Sequence, residues 1–233
     1  MDSSSFKPVL LAGGKATRMG EPKHLLSMGH GSTLLQHPFD LLHEVCPSEK
    51  VYISLAQESP PAPLLGGRKD AAKFIYDSEP NDSSESAGPA AGIIAAHRAD
   101  PGAVWLVVAC DYPLLTTEAL RYVCEAYSSP VTCFRNTTGY CEPLVGVCSP
   151  LALEALEKEV ANGARSPAAV VKKLDGRTVS PPLGCENWLF NVNTKNDWRR
   201  ALELLEARRN EDISARQLHR HPSLGYSVAN DML

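Results

Sequence analysis

The sequence predicts an α/β protein with a mostly parallel central sheet, and three observations lead to this prediction. An apolar run from Val9 to Leu11 precedes a glycine-rich loop, as a buried strand does before a ligand-binding turn. A second run, Val104 to Ala109, is apolar without alternation, which is typical of a central parallel strand covered on both faces. The chain has 233 residues, enough for one large domain with a full core.

The loop after the first strand has the composition of a phosphate site. It contains Gly13, Gly14 and Gly20, and successive backbone N–H groups in such loops form anion-binding concavities. It is not the common phosphate loop, because five residues separate Gly14 from Gly20 and a glutamate follows Gly20. The loop also contains three cations, which are Lys15, Arg18 and Lys23.

Beyond this loop the pattern alternates between helices and short strands. Ser32 or Thr33 precedes an amphipathic stretch, which predicts a capped helix to about Val45. A polar, acidic stretch over 78–87 predicts a mobile loop before the next helix. Two strands are predicted between these features, at Val51 to Leu55 and Lys73 to Asp77.

Small residues open the next predicted helix, which runs from Gly88 to about Arg98. The segment Gly88-Pro-Ala-Ala-Gly92 has two readings when taken alone. Its small residues predict either a bare helix start that a ligand can approach or a helix packed tightly against the sheet.

Asp111 directly follows the central apolar run, in the sequence Cys110-Asp111-Tyr112-Pro113. Ligands of open α/β sheets bind beyond the carboxyl ends of the strands, so Asp111 should lie beside the glycine-rich loop. A carboxylate in that position is suited to Mg²⁺, which takes oxygen ligands and accompanies phosphates. The alternative is that Asp111 caps the helix that begins near Thr116. We interpret Cys110 as a core residue.

The second half of the chain continues the α/β pattern and ends in polar sequence. An Asn162-Gly163 pair predicts a helix end, and Thr194 or Asn196 predicts the cap of a final amphipathic helix. The predicted helices are Thr116 to Tyr127, Pro150 to Val160 and Ser166 to Leu174, and the predicted strands are Val131 to Phe134 and Glu142 to Val147.

Composition excludes several classes of protein. The net charge of −4 argues against a general nucleic-acid binder. The seven cysteines are odd in number and form no Cys-x-x-Cys pair, which favours reduced thiols. No secretory leader and no apolar run of membrane-spanning length are recognised, so we expect no membrane partner and a cytoplasmic location.

Four blocks in order resemble one known family, the molybdenum cofactor guanylyltransferases, which are MobA-like NTP transferases. They are the LAGG-x-x-x-RMG-x-x-K loop, the GP-x-x-G-I segment, the CD-x-P turn and the F-x-N-x-N-T element. The resemblance covers about residues 8 to 206. It implies a three-layer α/β/α Rossmann-like nucleotidyltransferase fold and transfer of GMP from GTP to the phosphate of molybdopterin, with release of pyrophosphate. It also implies Mg²⁺ as cofactor and transient contact with molybdenum cofactor enzymes or biosynthesis proteins.

The same resemblance implies roles for particular side chains. Arg18, Lys23 and Asp111 are expected to be catalytic, with Asp111, Asn193 and its neighbour Asn191 as candidate ligands of Mg²⁺. The expected nucleotide-binding residues are Leu11, Ala12, Gly13, Gly14, Lys15, Arg18, Lys23, Asp77, Gly88, Gly92 and Asp111.

Two alternative functions remain open from the sequence. The segment from Glu21 to Leu26 is closer to the cytidylyl branch, which predicts CTP instead of GTP on the same acceptor. A non-catalytic, nucleotide-binding relative is a hypothesis of another class. We divide the chain into an NTP transferase domain over 1–209 and a partly ordered tail over 210–233.

Overall fold

The computed structural model describes residues 6–13, 23–29, 31–56, 65–77 and 88–220. Within these ranges the predicted helices and strands occur in the predicted order, and three short strands that the sequence does not predict occur as well, at Ser27–Gly29, Ser32–Thr33 and Arg177–Val179. The strands are β1 (Lys7–Leu11), β2 (Ser27–Gly29), β3 (Ser32–Thr33), β4 (Val51–Ala56), β5 (Ala72–Asp77), β6 (Trp105–Ala109), β7 (Val131–Arg135), β8 (Cys141–Cys148) and β9 (Arg177–Val179). The α-helices are α1 (Gln36–Val45), α2 (Pro89–Ala99), α3 (Thr117–Glu125), α4 (Pro150–Ala161), α5 (Pro167–Lys173) and α6 (Lys195–Arg220).

Seven strands form the central sheet, in the order β5-β4-β1-β6-β8-β7-β9. Strand β1 pairs in parallel with β4 and with β6, so that Val9 lies opposite Tyr52 on one side and Val107 on the other. Strand β8 is antiparallel to both of its neighbours, β6 and β7. Six strands therefore run in one direction, and the predicted mostly parallel sheet is confirmed.

Strand β6 corrects one detail of the prediction. All five of its residues are buried, as the unbroken apolar run indicates. It is parallel to β1 but antiparallel to β8, so it is the junction between the two kinds of pairing and not a strand with two parallel neighbours. Burial on both faces leaves the same apolar pattern whichever way a neighbour runs.

Helices cover both faces of the sheet and complete three layers. Helices α1 and α3 contact each other on one face, and α2, α4 and α5 form a contacting series on the other. Strand β7 illustrates the division, because Phe134 stacks on Tyr122 of α3 whereas Val131 lines a small apolar cavity with residues of α4 and α5. The α/β/α prediction is confirmed.

A second apolar cluster lies apart from the main core. It joins Leu26 and Leu34, beside the β2–β3 hairpin, to Val192 and to Ala201 of α6. Phe190 and Trp198 pack against it. This cluster fixes the segment before α6 against the start of the chain.

Three helices begin with a side-chain cap, and the predicted cap of the first helix is shifted. Thr116, Ser149 and Ser166 each accept a hydrogen bond from the backbone N–H three residues later. The first helix begins at Gln36 and not directly after Ser32 or Thr33, because those two residues form β3. Thr33 Oγ1 still accepts from the Gln36 N–H at 3.2 Å, and Gln36 Oε1 accepts from the Thr33 N–H at 3.0 Å.

Helix α6 continues to Arg220, past the predicted division at 209/210. That division stays a prediction, and the predicted mobile loop over 78–87 lies outside the described residues. Among the helices described here, none combines the length and the apolar character needed to cross a bilayer.

Candidate functional site

A cleft of about 130 Å³ opens where the carboxyl ends of β1 and β6 lie side by side. Strand β1 has β4 on one side and β6 on the other, so the strand order reverses here. This is the position at which open α/β sheets bind their ligands. The cleft is lined by Leu11, Ala12, Gly13, Lys23, His24, Pro89, Ala109, Cys110, Asp111 and Leu144.

Asp111 lies in this cleft with one oxygen atom lacking a partner. Its Oδ1 atom is buried and has no hydrogen-bond partner within the described parts of the chain. Burial raises the pKa of the Asp111 carboxyl, and the nearby Lys23 ammonium and Asn191 amide oppose that rise. Its backbone is held from two sides, because Cys110 N–H donates to Leu11 O at 3.0 Å and Val192 N–H donates to Asp111 O at 2.9 Å. An enclosed carboxylate oxygen of this kind is an electrostatic cost that a bound cation would offset.

The alternative reading of Asp111 as a helix cap is wrong. Thr116 Oγ1 accepts from the Ala119 N–H at 3.1 Å and so caps α3. Cys110 is buried, and burial raises the pKa of its thiol to about 12, in keeping with its interpretation as a core residue.

Lys23 connects the cleft to the segment before α6. Its Nζ atom donates to Val192 O at 2.9 Å and to Asn193 Oδ1 at 3.2 Å. Asn193 Nδ2 in turn donates to Asn191 Oδ1 at 2.9 Å. Asp197 Oδ2 accepts from the N–H groups of Asn193 and Thr194 at 2.9 and 2.7 Å, which confirms Thr194 in the cap of the final helix. The structure thus brings together Lys23, Asp111, Asn191 and Asn193 from the predicted set.

A polar wall adjoins Asp111 on the side of β8. Tyr112 is fully buried, and its hydroxyl donates to Glu142 Oε2 at 3.0 Å. Asn136 Nδ2 donates to Glu142 Oε1 at 2.8 Å. Burial, with the charges of Asp111 and Glu142, raises the pKa of Tyr112, so this hydroxyl keeps its proton. Because β8 is antiparallel, its first residues and not its last lie at this edge of the sheet.

The other wall belongs to β1 and the start of α2, and of the two predicted glycines near α2 only Gly88 is next to it. Gly88 has φ 61°, a left-handed conformation that glycine adopts without strain, and it precedes α2 at the cleft. Gly92 lies against the sheet, where an added Cβ would be 2.7 Å from Ser54 Oγ and 3.0 Å from Leu11 Cδ2. Asp77 is buried and accepts a hydrogen bond from Ser54 Oγ. Gly92 and Asp77 are therefore not among the residues that line the cleft.

The predicted Gly14, Lys15 and Arg18 lie outside the described residues. Sequence reasoning missed His24, Pro89 and Leu144 in the cleft lining, together with Tyr112 and Glu142 behind Asp111. Pro89 directly follows Gly88 in the GP-x-x-G-I segment, so adjacency was the available signal there. Leu144 lies within the predicted strand Glu142 to Val147 and carries no signal that marks it for the cleft. Nothing in the local pattern distinguishes Glu142 from an exposed strand residue.

The donor set at Asp111 fits a hard cation that brings most of its own ligands. No group of three or more His, Cys, Asp or Glu side chains suited to a metal occurs in the described part of the chain. Asp111 Oδ1 supplies one free carboxylate oxygen, and Mg²⁺ typically takes one or two carboxylates and completes its shell with phosphates and water. The amide oxygens of Asn191 and Asn193 lie in the same cluster, each already accepting one hydrogen bond.

A switch-point cleft with one enclosed carboxylate, one lysine and a glycine-bearing strand end defines a nucleotide-binding α/β protein of the phosphoryl-transferring class. The family model of the MobA-like NTP transferase domain matches residues 8–178, and the chain belongs to this family. The family resemblance in the sequence is thereby confirmed.

Relatives of known name support the same assignment. A probable molybdenum cofactor guanylyltransferase of Rhodopirellula baltica is 33% identical over 196 residues, which cover 81% of this chain and 88% of that protein. A molybdenum cofactor guanylyltransferase of Pseudomonas fluorescens is 30% identical, with 80% and 88% covered. A molybdenum cofactor biosynthesis bifunctional protein of Synechocystis is 30% identical over 193 residues, and the match spans 52% of its length.

Solved structures agree on the fold. Molybdopterin-guanine dinucleotide biosynthesis protein A from Archaeoglobus fulgidus superposes with a TM-score of 0.66 at 24% identity, covering 87% of this chain and all of that one. A 4-diphosphocytidyl-2C-methyl-D-erythritol synthase from Anaerococcus prevotii reaches 0.59 at 11% identity, covering 88% and 98%. At such identities the likeness concerns the fold alone.

Proposed function

We propose that the protein transfers GMP from GTP to the phosphate of molybdopterin, releases pyrophosphate and so forms the guanine dinucleotide cofactor. The observation that carries the proposal is the enclosed Oδ1 atom of Asp111, which has no partner among the described residues and lies near the Lys23 ammonium at the switch point of the sheet. Relatives named as guanylyltransferases match four-fifths of the chain, which supports the choice of reaction.

The residues of the cleft have distinct roles in this proposal. Leu11, Ala12 and Gly13 end β1 and present backbone to the nucleotide, with Gly88 at the facing helix start. The β and γ phosphates are held by Gly14, Lys15 and Arg18. An oxygen of the acceptor phosphate attacks the α-phosphorus in line with the leaving pyrophosphate. Lys23 neutralises the charge that develops at the α-phosphoryl group. Asp77 and Gly92 have an indirect role in nucleotide binding. Gly92 packs against Leu11 and Ser54, and Asp77 accepts a hydrogen bond from Ser54, so that both support the strand end that binds the nucleotide.

Asp111 would hold Mg²⁺, which when bound neutralises phosphate charge and orients the leaving pyrophosphate. Asn193 Oδ1, which accepts one hydrogen bond from Lys23 and keeps a second lone pair, is the proposed second ligand. Asn191 Oδ1, which accepts one hydrogen bond from Asn193, is the neighbouring candidate. The cluster so arranged binds and positions phosphates and needs no covalent intermediate on the protein.

The competing function is cytidylyl transfer from CTP to the same acceptor. The solved 4-diphosphocytidyl-2C-methyl-D-erythritol synthases support the fold and do not decide between GTP and CTP. The relatives that match most of the chain at about 30% identity are guanylyltransferases by name, which favours GTP. We further propose a cytoplasmic location and transient contact with enzymes that build or receive the cofactor.

The test is pyrophosphate release by the full chain with Mg²⁺, molybdopterin acceptor, and GTP, CTP or ATP in parallel reactions. We expect release with GTP and a guanylated pterin product by mass spectrometry. Pyrophosphate release with CTP alone would show that CTP and not GTP is the substrate, and the proposed type of reaction would stand. Tight GTP binding without turnover, in the presence of a competent acceptor, would contradict the proposal and favour the non-catalytic relative.

A further inference from the structure

The hairpin that joins β7 to β8 presents one aromatic side chain to solvent. Tyr140 directly precedes β8, and 74% of its surface is exposed. The other exposed tyrosines of the described residues are more enclosed, since Tyr122 stacks on Phe134 and Tyr76 is 41% exposed. An aromatic ring offers a large apolar face together with a polar tip, which suits it to contact a ligand. Among the described residues, Tyr140 is the aromatic side chain most open to such a contact.

The position of Tyr140 is fixed by the turn that precedes it. Asn136 N–H donates to Tyr140 O at 2.9 Å, and Asn136 Oδ1 accepts from the Tyr140 N–H at 3.0 Å. Gly139 has φ 89°, a left-handed conformation that glycine adopts without strain, and its N–H donates to Asn136 O at 2.9 Å. Both backbone polar groups of Tyr140 are therefore satisfied, and a ligand that contacts the ring does not have to order this backbone first.

The same turn places Tyr140 at the edge of the sheet where Asp111 lies. The hydrogen bond from Asn136 to Tyr140 continues the antiparallel pairing of β7 with β8 by one further residue on each strand. Because side chains alternate along a strand, Tyr140 lies on the same face as Glu142, with the two Cα atoms about 7 Å apart. Glu142 Oε2 accepts from the hydroxyl of Tyr112, which directly follows Asp111. Tyr140 thus extends the polar wall beside Asp111.

The order of the strands associates Tyr140 with the acceptor and not with the nucleotide. Strand β6, which Asp111 follows, has β1 on one side and β8 on the other. In the proposed function the nucleotide phosphates lie on the side of β1, beside Gly13 and Lys23. In-line displacement places the attacking oxygen and the leaving oxygen on opposite sides of the phosphorus. The acceptor phosphate therefore approaches from the side of β8, and the rest of the acceptor extends towards the hairpin.

We propose that Tyr140 is a specificity-determining residue whose ring stacks on the pterin ring of the acceptor while the acceptor phosphate lies at Asp111. A pterin is a flat, fused heterocycle, as a purine base is, and aromatic side chains stack on such rings. The inference rests on the proposed function, because it names the residue that recognises one part of the proposed acceptor. Tyr140 acts on acceptor binding and leaves the chemical step to the residues of the cleft.

The decisive variant is Tyr140→Ala, which removes the ring at an exposed position and should leave the free energy of unfolding nearly unchanged. We expect KM for molybdopterin to rise about tenfold, in the range found when a stacked base loses its aromatic partner. The values of kcat and of KM for GTP should change less than about twofold, because the ring contacts neither the nucleotide nor the reacting atoms. A rise in KM for GTP with KM for molybdopterin unchanged would overturn the proposal.

Two further variants separate stacking from other causes. Tyr140→Phe keeps the ring and should keep the wild-type KM for molybdopterin. A loss as large as that of Tyr140→Ala would assign the effect to the hydroxyl and contradict stacking. Tyr76→Ala is the matched control, because Tyr76 is an exposed tyrosine of β5, an edge strand on the other side of β1. It should leave KM for molybdopterin unchanged.

A second readout does not require turnover. In equilibrium dialysis of molybdopterin against the full chain without nucleotide, Tyr140→Ala should show a Kd about tenfold higher than Tyr140→Phe. Equal Kd and KM values for these two variants would overturn the stacking contact and leave the proposed reaction standing. Molybdopterin binding that depends on the ring, in a protein that releases no pyrophosphate with any nucleotide, would refute the proposed reaction and support the stacking contact.

Discussion

Two aspartates lie at opposite ends of β6, and their surroundings differ in kind. Asp100 precedes the strand, forms an ion pair with Lys7 and accepts a hydrogen bond from the Gly102 N–H. Asp111 follows the strand and has an enclosed oxygen without a partner among the described residues. The Lys7 side chain lowers the pKa of Asp100, whereas burial raises the pKa of Asp111.

Each aspartate also has a lysine nearby, and the lysines are used differently. Lys7 donates directly to Asp100. Lys23 directs its ammonium to Val192 O and Asn193 Oδ1, and acts on Asp111 through its charge. One end of β6 is therefore a satisfied ion pair, and the other is a carboxylate kept available. The comparison teaches that a group prepared for a ligand lowers the stability of the ligand-free fold.

The largest difference is expected from exchanging each carboxylate for an amide. Asp111→Asn should reduce pyrophosphate release at least about 100-fold, because an electrostatic group at the reacting phosphates is removed. It should also raise the free energy of unfolding by about 1 kcal/mol, since an unpaired buried charge is lost. Urea unfolding and initial rates measure both quantities.

Asp100→Asn is the matched change at the other end of β6. It should leave the rate unchanged and lower the free energy of unfolding by less than about 1 kcal/mol, the range of exposed ion pairs. A lower free energy of unfolding for Asp111→Asn, or near-normal turnover by this variant, would contradict the functional contrast between the two ends of β6.

The lysines should show the next largest effect. Lys23→Met should lower kcat about 100-fold and cost about 1–3 kcal/mol of stability, because the Val192 carbonyl and the Asn193 amide lose their donor. Lys7→Met should change stability by less than about 1 kcal/mol and leave kcat alone. Equal kcat values for Lys23→Met and Lys7→Met would show that Lys23 has no role in the reaction.

The pH dependence of stability should separate the two aspartates without any substrate. The folded pKa of Asp111 lies above the unfolded value, so its charge opposes folding at neutral pH, and this penalty disappears as pH falls through the folded pKa towards 3.8. The folded pKa of Asp100 lies below 3.8, so its contribution is complete above 3.8 and is lost only below it.

The two substitutions should therefore differ in their pH profiles. The stabilisation by Asp111→Asn should be present at pH 7 and vanish by about pH 4, where the effect of Asp100→Asn persists. Urea midpoints across a pH series measure the two curves. A stabilisation by Asp111→Asn that is independent of pH would mean that charge is not its cause.

Among the changes that should affect the rate, the smallest effect is expected at a third carboxylate, Asp197, which completes the capping arrangement of Thr194 at the start of α6. Two backbone N–H groups lower the pKa of Asp197, as an ordinary cap does. Asp197→Ala should cost about 1 kcal/mol and reduce kcat only a few-fold, since it loosens Asn193 without removing a charge from the cleft. A loss as large as that of Asp111→Asn would show that the site depends on the cap far more than the contacts indicate.

Much of the fold could be predicted because its signals are local. The helices that begin near Thr116, Pro150 and Ser166 and the apolar run of β6 depend on neighbours in sequence, and each was confirmed. The direction of β8 was not predictable, because a buried strand has the same pattern in either direction. Gly92 was ambiguous for a similar reason, since a missing Cβ serves a ligand and a tightly packed helix equally.

The candidate site was predicted where one residue type carries the chemistry and missed where several residues share it. Asp111 follows a buried strand, and Lys23 closes a glycine-rich loop, so each has a motif. Tyr112 and Glu142 acquire their role only from each other, across 30 positions of the chain. Tyr112 and Glu142 meet because β8 is antiparallel to β6, and the direction of β8 cannot be predicted from the sequence.

The contact of Lys23 with Asn193 has a consequence for biosynthesis. These residues are 170 positions apart, near the two limits of the family-like region. A ribosome that adds about 5–20 residues per second needs roughly 10–30 s to pass from one to the other. During that interval β1, β4 and β5 can assemble on the nascent chain while Lys23 still lacks its partners Val192 and Asn193. The contact between Lys23 and Asn193 therefore forms only after synthesis has passed Asn193.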